Sequence, residues 1–113
     1  MHDVDVLTAA GATVVSASGE LDAYGAPDLT AALERATLDD RSVVVDLEAV
    51  AFMDSTALGV VVRAVRELGE AGRRVKVVLP RGPARRVFEI TTVDRMLPVA
   101  HSRDDALEEL AGD

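Results

Sequence analysis

Ser55 follows an Asp and a valine-rich run and stands directly before the clearest amphipathic helix pattern in the 113-residue chain. A hydroxyl so placed could accept a phosphoryl group or attack an ester. At the first turn of a helix, free backbone N–H groups and the helix dipole both favour negative charge, so a phosphate there is tolerated by the fold. Asp54 or Ser55 could equally serve as the N-cap, and capping is compatible with accepting phosphate. The ester-attacking role, that of a small hydrolase, lacks a Gly-x-Ser-x-Gly elbow and a placed histidine base. His2 and His101 lie near the two termini at no spacing from Asp or Glu that suggests a metal site or triad, and both read as lone surface histidines. Asp46 and Asp54, on a strand and at its exit, could in isolation form a magnesium or acid–base pair, but no nucleophile or second base accompanies them. Asp22 and Tyr24 occupy a short polar loop, which on its own reads as a solvated turn with Asp capping the backbone. Arg85 and Arg86 read as a solvated helix face.

Composition narrows the classes of function. Cysteine is absent, so disulfides, thiolate metal sites and thiol nucleophiles are excluded. A net charge of -8 repels phosphate backbones and anionic lipid, which disfavours nucleic acid and membrane as partners and favours a cationic protein patch. Aromatics make up 3% of residues, too few for the stacking platforms of single-strand or sugar binders. The N-terminus, Met1-His2-Asp3-Val4-Asp5, is acidic where a signal peptide would be basic, and no apolar run approaches membrane-spanning length. A soluble, cytoplasmic protein is expected, with residues 1–113 as a single domain. By size scaling its accessible surface should fall to roughly 6,000 Å² on folding. No large apolar surface stripe is apparent, so a monomer is expected.

The elements that must position Ser55 follow from periodicity. Val4 to Leu7 and Thr13 to Ala17, separated by Ala10-Gly11, predict a β-hairpin. After the polar stretch from Gly19 to Gly25, Pro27 marks a helix start, and Leu29, Ala32, Leu33 and Ala36 recur at helical spacing over residues 26–38. Ser42 to Leu47 reads as a buried central strand, apolar on both faces. Leu58, Val61, Val62, Val65 and Leu68 then define the helix that Ser55 opens and Gly72 closes. Val75 to Leu79 is a further strand, Pro80 to Pro83 a break, and Ala84 to Ile90 a short basic helix. Val99 could add a last strand, and Ser102 should cap a helix whose Asp104 and Asp105 suit its N-terminus. This order predicts an α/β fold with a mixed sheet.

Three blocks carry a resemblance that spans nearly the whole chain. The run Val43-Val44-Val45-Asp46-Leu47-Glu48-Ala49-Val50-Ala51-Phe52-Met53-Asp54-Ser55-Thr56-Ala57-Leu58-Gly59 resembles the signature of bacterial anti-sigma factor antagonists of the STAS domain family. Gly19 to Tyr24 with Ala26-Pro27 is similar to that family's first loop, and Pro83 to Phe88 to its third helix. The resemblance implies a mixed four- to five-stranded sheet with helices packed mainly on one face. It implies that Ser55 is phosphorylated by an anti-sigma factor that is also a serine kinase and supplies ATP and magnesium. It further implies a phosphatase for the phosphoserine, and a partner surface of Asp22, Tyr24, Asp54, Thr56, Ala57, Leu58 and Gly59, with Asp46 structural. The unphosphorylated chain would bind the anti-sigma factor and free a sigma factor; the phosphorylated chain would not bind. An alternative is a STAS module of another partner-switching or stressosome-like complex with no sigma factor. Ala57 and Thr92 stand where the family usually has Gly, and the Ala57 methyl is expected to project at the partner surface.

The chain has no glycine-rich phosphate loop or P-loop lysine, so it is expected to be a kinase substrate, with no enzymatic activity and no cofactor or metal of its own.

Overall fold

The computed structural model describes residues 1–91 and 95–111; Thr92 lies outside them. Strands β1 (His2–Ala9) and β2 (Ala12–Leu21) form the expected hairpin. Ala10 and Gly11 both take positive φ, 50° and 80°, the two-residue turn whose twist matches the flanking strands. Helix α1 (Ala26–Ala36) follows with Pro27 in its first turn. Then come β3 (Val43–Met53), α2 (Ser55–Glu70), β4 (Val75–Val78), α3 (Arg85–Ile90), β5 (Val99–Ala100) and α4 (Arg103–Ala111).

The five strands lie in the order β1-β2-β3-β4-β5, the first pair antiparallel and the rest parallel. Parallel neighbours laid down in one direction with crossovers of one hand place their connecting helices on one face. Accordingly Leu29 and Leu33 of α1, Leu58, Val61 and Leu68 of α2 and Phe88 of α3 share one apolar core with Val15, Val43, Val45 and Val77 of the sheet. Among the described helices α4 alone covers the opposite face, where Ala106 and Leu110 pack on Val14, Val44 and Val78. Val43, Val44 and Val45 thus serve both cores, as a strand apolar on both faces requires. Accessible surface is 6164 Å², in line with the size-scaling expectation.

Two strands are longer than their patterns suggested: β2 runs past Ala17 to Leu21, into the stretch expected to be a polar loop, and β3 runs past Leu47. Beyond Leu47, β3 continues to Met53, although the continuous burial of Val43 to Leu47 ends there and no period-two alternation follows it. The cause is irregular pairing with β2: Ser16 pairs with Asp46 but Ser18 with Ala49, and the register shifts again between Gly19 and Glu20. Bulges of this kind reset which face a side chain takes, so the strand loses its sequence signature while keeping its ladder. The extension carries the chain to Asp54 and Ser55.

Candidate functional site

Because β2 and β3 are parallel, the segments that leave them emerge at the same end of the sheet. Leu21 pairs with Met53, and the Asp54 N–H donates to the Leu21 carbonyl at 3.1 Å. The loop after Leu21 and the start of α2 are therefore tied together, so the turn of Asp22 and Tyr24 leaves the sheet at the same end as Asp54 and Ser55.

Each half of the site is organised by an aspartate. Asp22 Oδ1 accepts the N–H groups of Tyr24 (3.0 Å) and Gly25 (3.2 Å), and its carbonyl accepts those of Gly25 and Ala26. The turn is thus wound tightly around Asp22, leaving Tyr24 90% exposed. Asp54 has extended backbone, φ -95° and ψ 179°, and its Oδ1 accepts the Ala57 N–H at 3.0 Å while its carbonyl accepts that of Leu58. Asp54 is the N-cap. Ser55 is free of that duty: it is exposed, and no hydrogen bond engages its hydroxyl among the described residues. The two remaining first-turn N–H groups, on Ser55 and Thr56, stay available to an anion at the end of a 16-residue helix with no acidic residue in its first turn.

Burial divides the signature run. Ser55, Thr56 and Gly59 are exposed, and a Cβ on Gly59 would meet no atom within 4 Å. The Ala57 side chain, in contrast, is 0% exposed and belongs to the main core, with Leu58 beside it. The expectation that the Ala57 methyl projects at a partner is therefore corrected. One residue past Thr56 the helix turns its inner face to the sheet, so Ala57 and Leu58 offer no side chain to a docking surface.

The other candidate groups sort by distance and partner. Asp46 and Asp54 stand about 25 Å apart along the strand at its usual rise, and cannot share a metal or a proton. Asp46 is buried and bonds Arg103 Nε at 2.7 Å, whose Nη2 reaches Ser16 at 2.9 Å, while Asp46 Oδ1 accepts the Glu48 N–H at 3.0 Å within the bulge. It is a structural anchor between sheet and α4. No cluster of three or more His, Cys, Asp or Glu able to hold a metal occurs among the described residues. Arg85 is exposed and pairs with Glu89, and Arg86 is also exposed. His2 corrects the expectation of a lone surface histidine: its Nε2 is 2.7 Å from Asp28 Oδ2. A cavity of about 300 Å³ between α1 and α2 is lined by Leu33, Val60, Ala64 and Leu68 and does not include Ser55.

Phe52 went unrecognised in the sequence. It lies three residues before Ser55 and is 49% exposed, although a strand pattern places an apolar residue at this point inside. The chain has only two Phe, one Tyr and no Trp. Two of these three aromatics, Tyr24 and Phe52, are thus exposed toward the same end of the sheet.

The sequence profile of the STAS domain matches residues 3–106. The chain belongs to the STAS domain family. It is 34% identical over 86 residues to the anti-sigma-B factor antagonist of Staphylococcus aureus, an alignment covering 75% of this chain and 80% of that protein. The crystal structure of an anti-sigma factor antagonist from Mycobacterium paratuberculosis superposes with a TM-score of 0.88 at 34% identity, covering 98% of this chain and 95% of that one. The phosphorylated form of the Bacillus cell fate determinant SpoIIAA shares the fold, with a TM-score of 0.69 at 21% identity and coverage of 97% and 99%. As a STAS domain the chain falls in a regulatory, non-enzymatic class. None of its described helices is long and apolar enough to cross a membrane.

Proposed function

We propose that this STAS domain is an anti-sigma factor antagonist that binds an anti-sigma factor with serine kinase activity when Ser55 is free, and is released when Ser55 is phosphorylated. The observation that carries this reading is the division of labour at the head of α2. Asp54 caps the helix, and Ser55 presents an unengaged hydroxyl to solvent. The similarity to named anti-sigma factor antagonists supports the class of partner.

In the reaction the partner supplies Mg-ATP. The Ser55 oxygen bonds to the γ-phosphorus, ADP leaves, and the hydroxyl proton passes to a base of the partner. The product adds about -1.5 to -2 charge to a surface that already holds Asp22 and Asp54. The fold absorbs it, because the oxygens meet the free N–H groups of the first turn. The interface does not: one misplaced charge in a docked contact costs several kcal/mol, at least about a hundredfold in affinity. A phosphatase would restore the binding form. The domain acts as a cytoplasmic monomer with no cofactor of its own.

The test is incubation with candidate anti-sigma kinases and Mg-ATP, with mass spectrometry of the product. A single added phosphate on Ser55, absent in Ser55→Ala, is expected. Phosphate elsewhere, or its persistence in Ser55→Ala, would overturn the assignment.

A further inference from the structure

The loop that carries Asp22 and Tyr24 is framed by two glycines, and both are fitted to the start of β1. Gly19 has φ +81°, and a Cβ there would collide with the Met1 carbonyl oxygen, which accepts the Glu20 N–H at 3.0 Å. A Cβ on Gly25 would stand 3.1 Å from His2 Nδ1 and 3.3 Å from the ring's Cγ and Cε1. The imidazole thus lies flat on the turn, only 21% exposed, and its Nε2 reaches Asp28 in the first turn of α1.

This contact braces a helix start that has no side-chain cap. Its N-cap is Gly25, with no side chain to bond the first turn. The turn is held from inside by Asp22 and from outside by His2, through Asp28 and through the surface of Gly25.

We propose that His2 is a positioning residue for partner docking: by gripping Asp28 and closing over Gly25, it fixes the turn that presents Tyr24 at the end of the sheet where Ser55 stands. This rests on the reading of the Ser55 end as the docking surface. A turn fixed in advance removes its ordering cost from the binding step. Without His2 the same side chains remain, but Tyr24 must be ordered by the partner.

Tyr24 is the only tyrosine and the chain has no tryptophan, so tyrosine fluorescence anisotropy reports this turn alone in the full chain. In His2→Ala the anisotropy is expected to fall, and amide hydrogen exchange at Gly25, Ala26 and Leu29 to quicken roughly fivefold, the scale of a weak pair. Exchange at Val44 and Val45 should stay unchanged. His2→Gln, whose amide can still donate to Asp28, should recover most of both signals. With a kinase that modifies Ser55, His2→Ala should raise KM several-fold at constant kcat. Unaltered anisotropy and exchange at the turn, acceleration of Val44 and Val45 to the same degree, or an unchanged KM would overturn the proposal. Anisotropy and exchange need no partner, so failure of Ser55 phosphorylation leaves them able to decide the role of His2.

Discussion

The carboxylate of Asp54 accepts the N–H of Ala57 at 3.0 Å, and through that bond α2 starts on Asp54 while Ser55 projects into solvent. Capping and phosphate acceptance, which could have fallen on one residue, are divided between two neighbours. Their replacement should have different consequences. Asp54→Ala loses a cap and should cost about 1 kcal/mol of stability, whereas Ser55→Ala, exposed and unbonded, should stay within about 0.5 kcal/mol of wild type. Urea denaturation of the two variants checks this, and a larger loss in Ser55→Ala would mean that Ser55 is part of the cap.

Ala57→Gly would restore the residue usual in the family, but at a position packed in the core. Its helix propensity falls by about 1 kcal/mol and a buried methyl is lost, so a destabilisation of roughly 1–2 kcal/mol is expected in urea. Affinity for an anti-sigma partner should not change, since the methyl never reaches the surface.

Arg103 holds the buried Asp46 from the far side of the sheet. Arg103→Ala leaves that carboxylate without its cation. Breaking a fully buried pair costs about 3–5 kcal/mol; here Arg103 is 35% exposed, so water can replace part of its role and roughly 2 kcal/mol is expected. Thermal unfolding measures it, and neutrality would show that Asp46 is solvated by other means.

Much of this was legible in the sequence, and the misses have identifiable causes. The hairpin and α2 are readable from their periodicity and the turn or cap residues at their ends, and the central strand from a short unbroken run of valines apolar on both faces. The end of β3 is not, because bulges against β2 erase alternation between Glu48 and Met53, and Phe52 is hidden with it. His2 and Arg103 were missed for another reason: their partners, Asp28 and Asp46, are 26 and 57 positions away. Long-range pairing of this kind leaves no local pattern. Ala57 shows the limit of carrying a motif over whole, since adjacent helical residues point in different directions.

Asp39 introduces a pH dependence at the opposite end of the helical layer. The Arg41 backbone N–H bonded to its carboxylate, and then the charges of Arg41 and Arg73, hold it below its ordinary value of 3.8. A depressed folded-state value stabilises the fold above the unfolded value, and the contribution is lost as pH falls through the folded one. Asp39→Asn should therefore be less stable than wild type near neutrality, with the difference vanishing in acid. A gap that stays constant down the acid limb, measured by urea unfolding at a series of pH values, would contradict the assignment.

The affinity of the Ser55 surface for an anti-sigma kinase tests the central claim most directly. Calorimetric titration of one such partner should be made with the unmodified chain, the Ser55-phosphorylated chain and Ser55→Asp, with circular dichroism on each. The account predicts a loss of at least about a hundredfold in affinity on phosphorylation, a loss in the same direction for Ser55→Asp, and unchanged spectra. Equal affinity of the phosphorylated and unmodified chains, or weaker binding that accompanies unfolding, would contradict it.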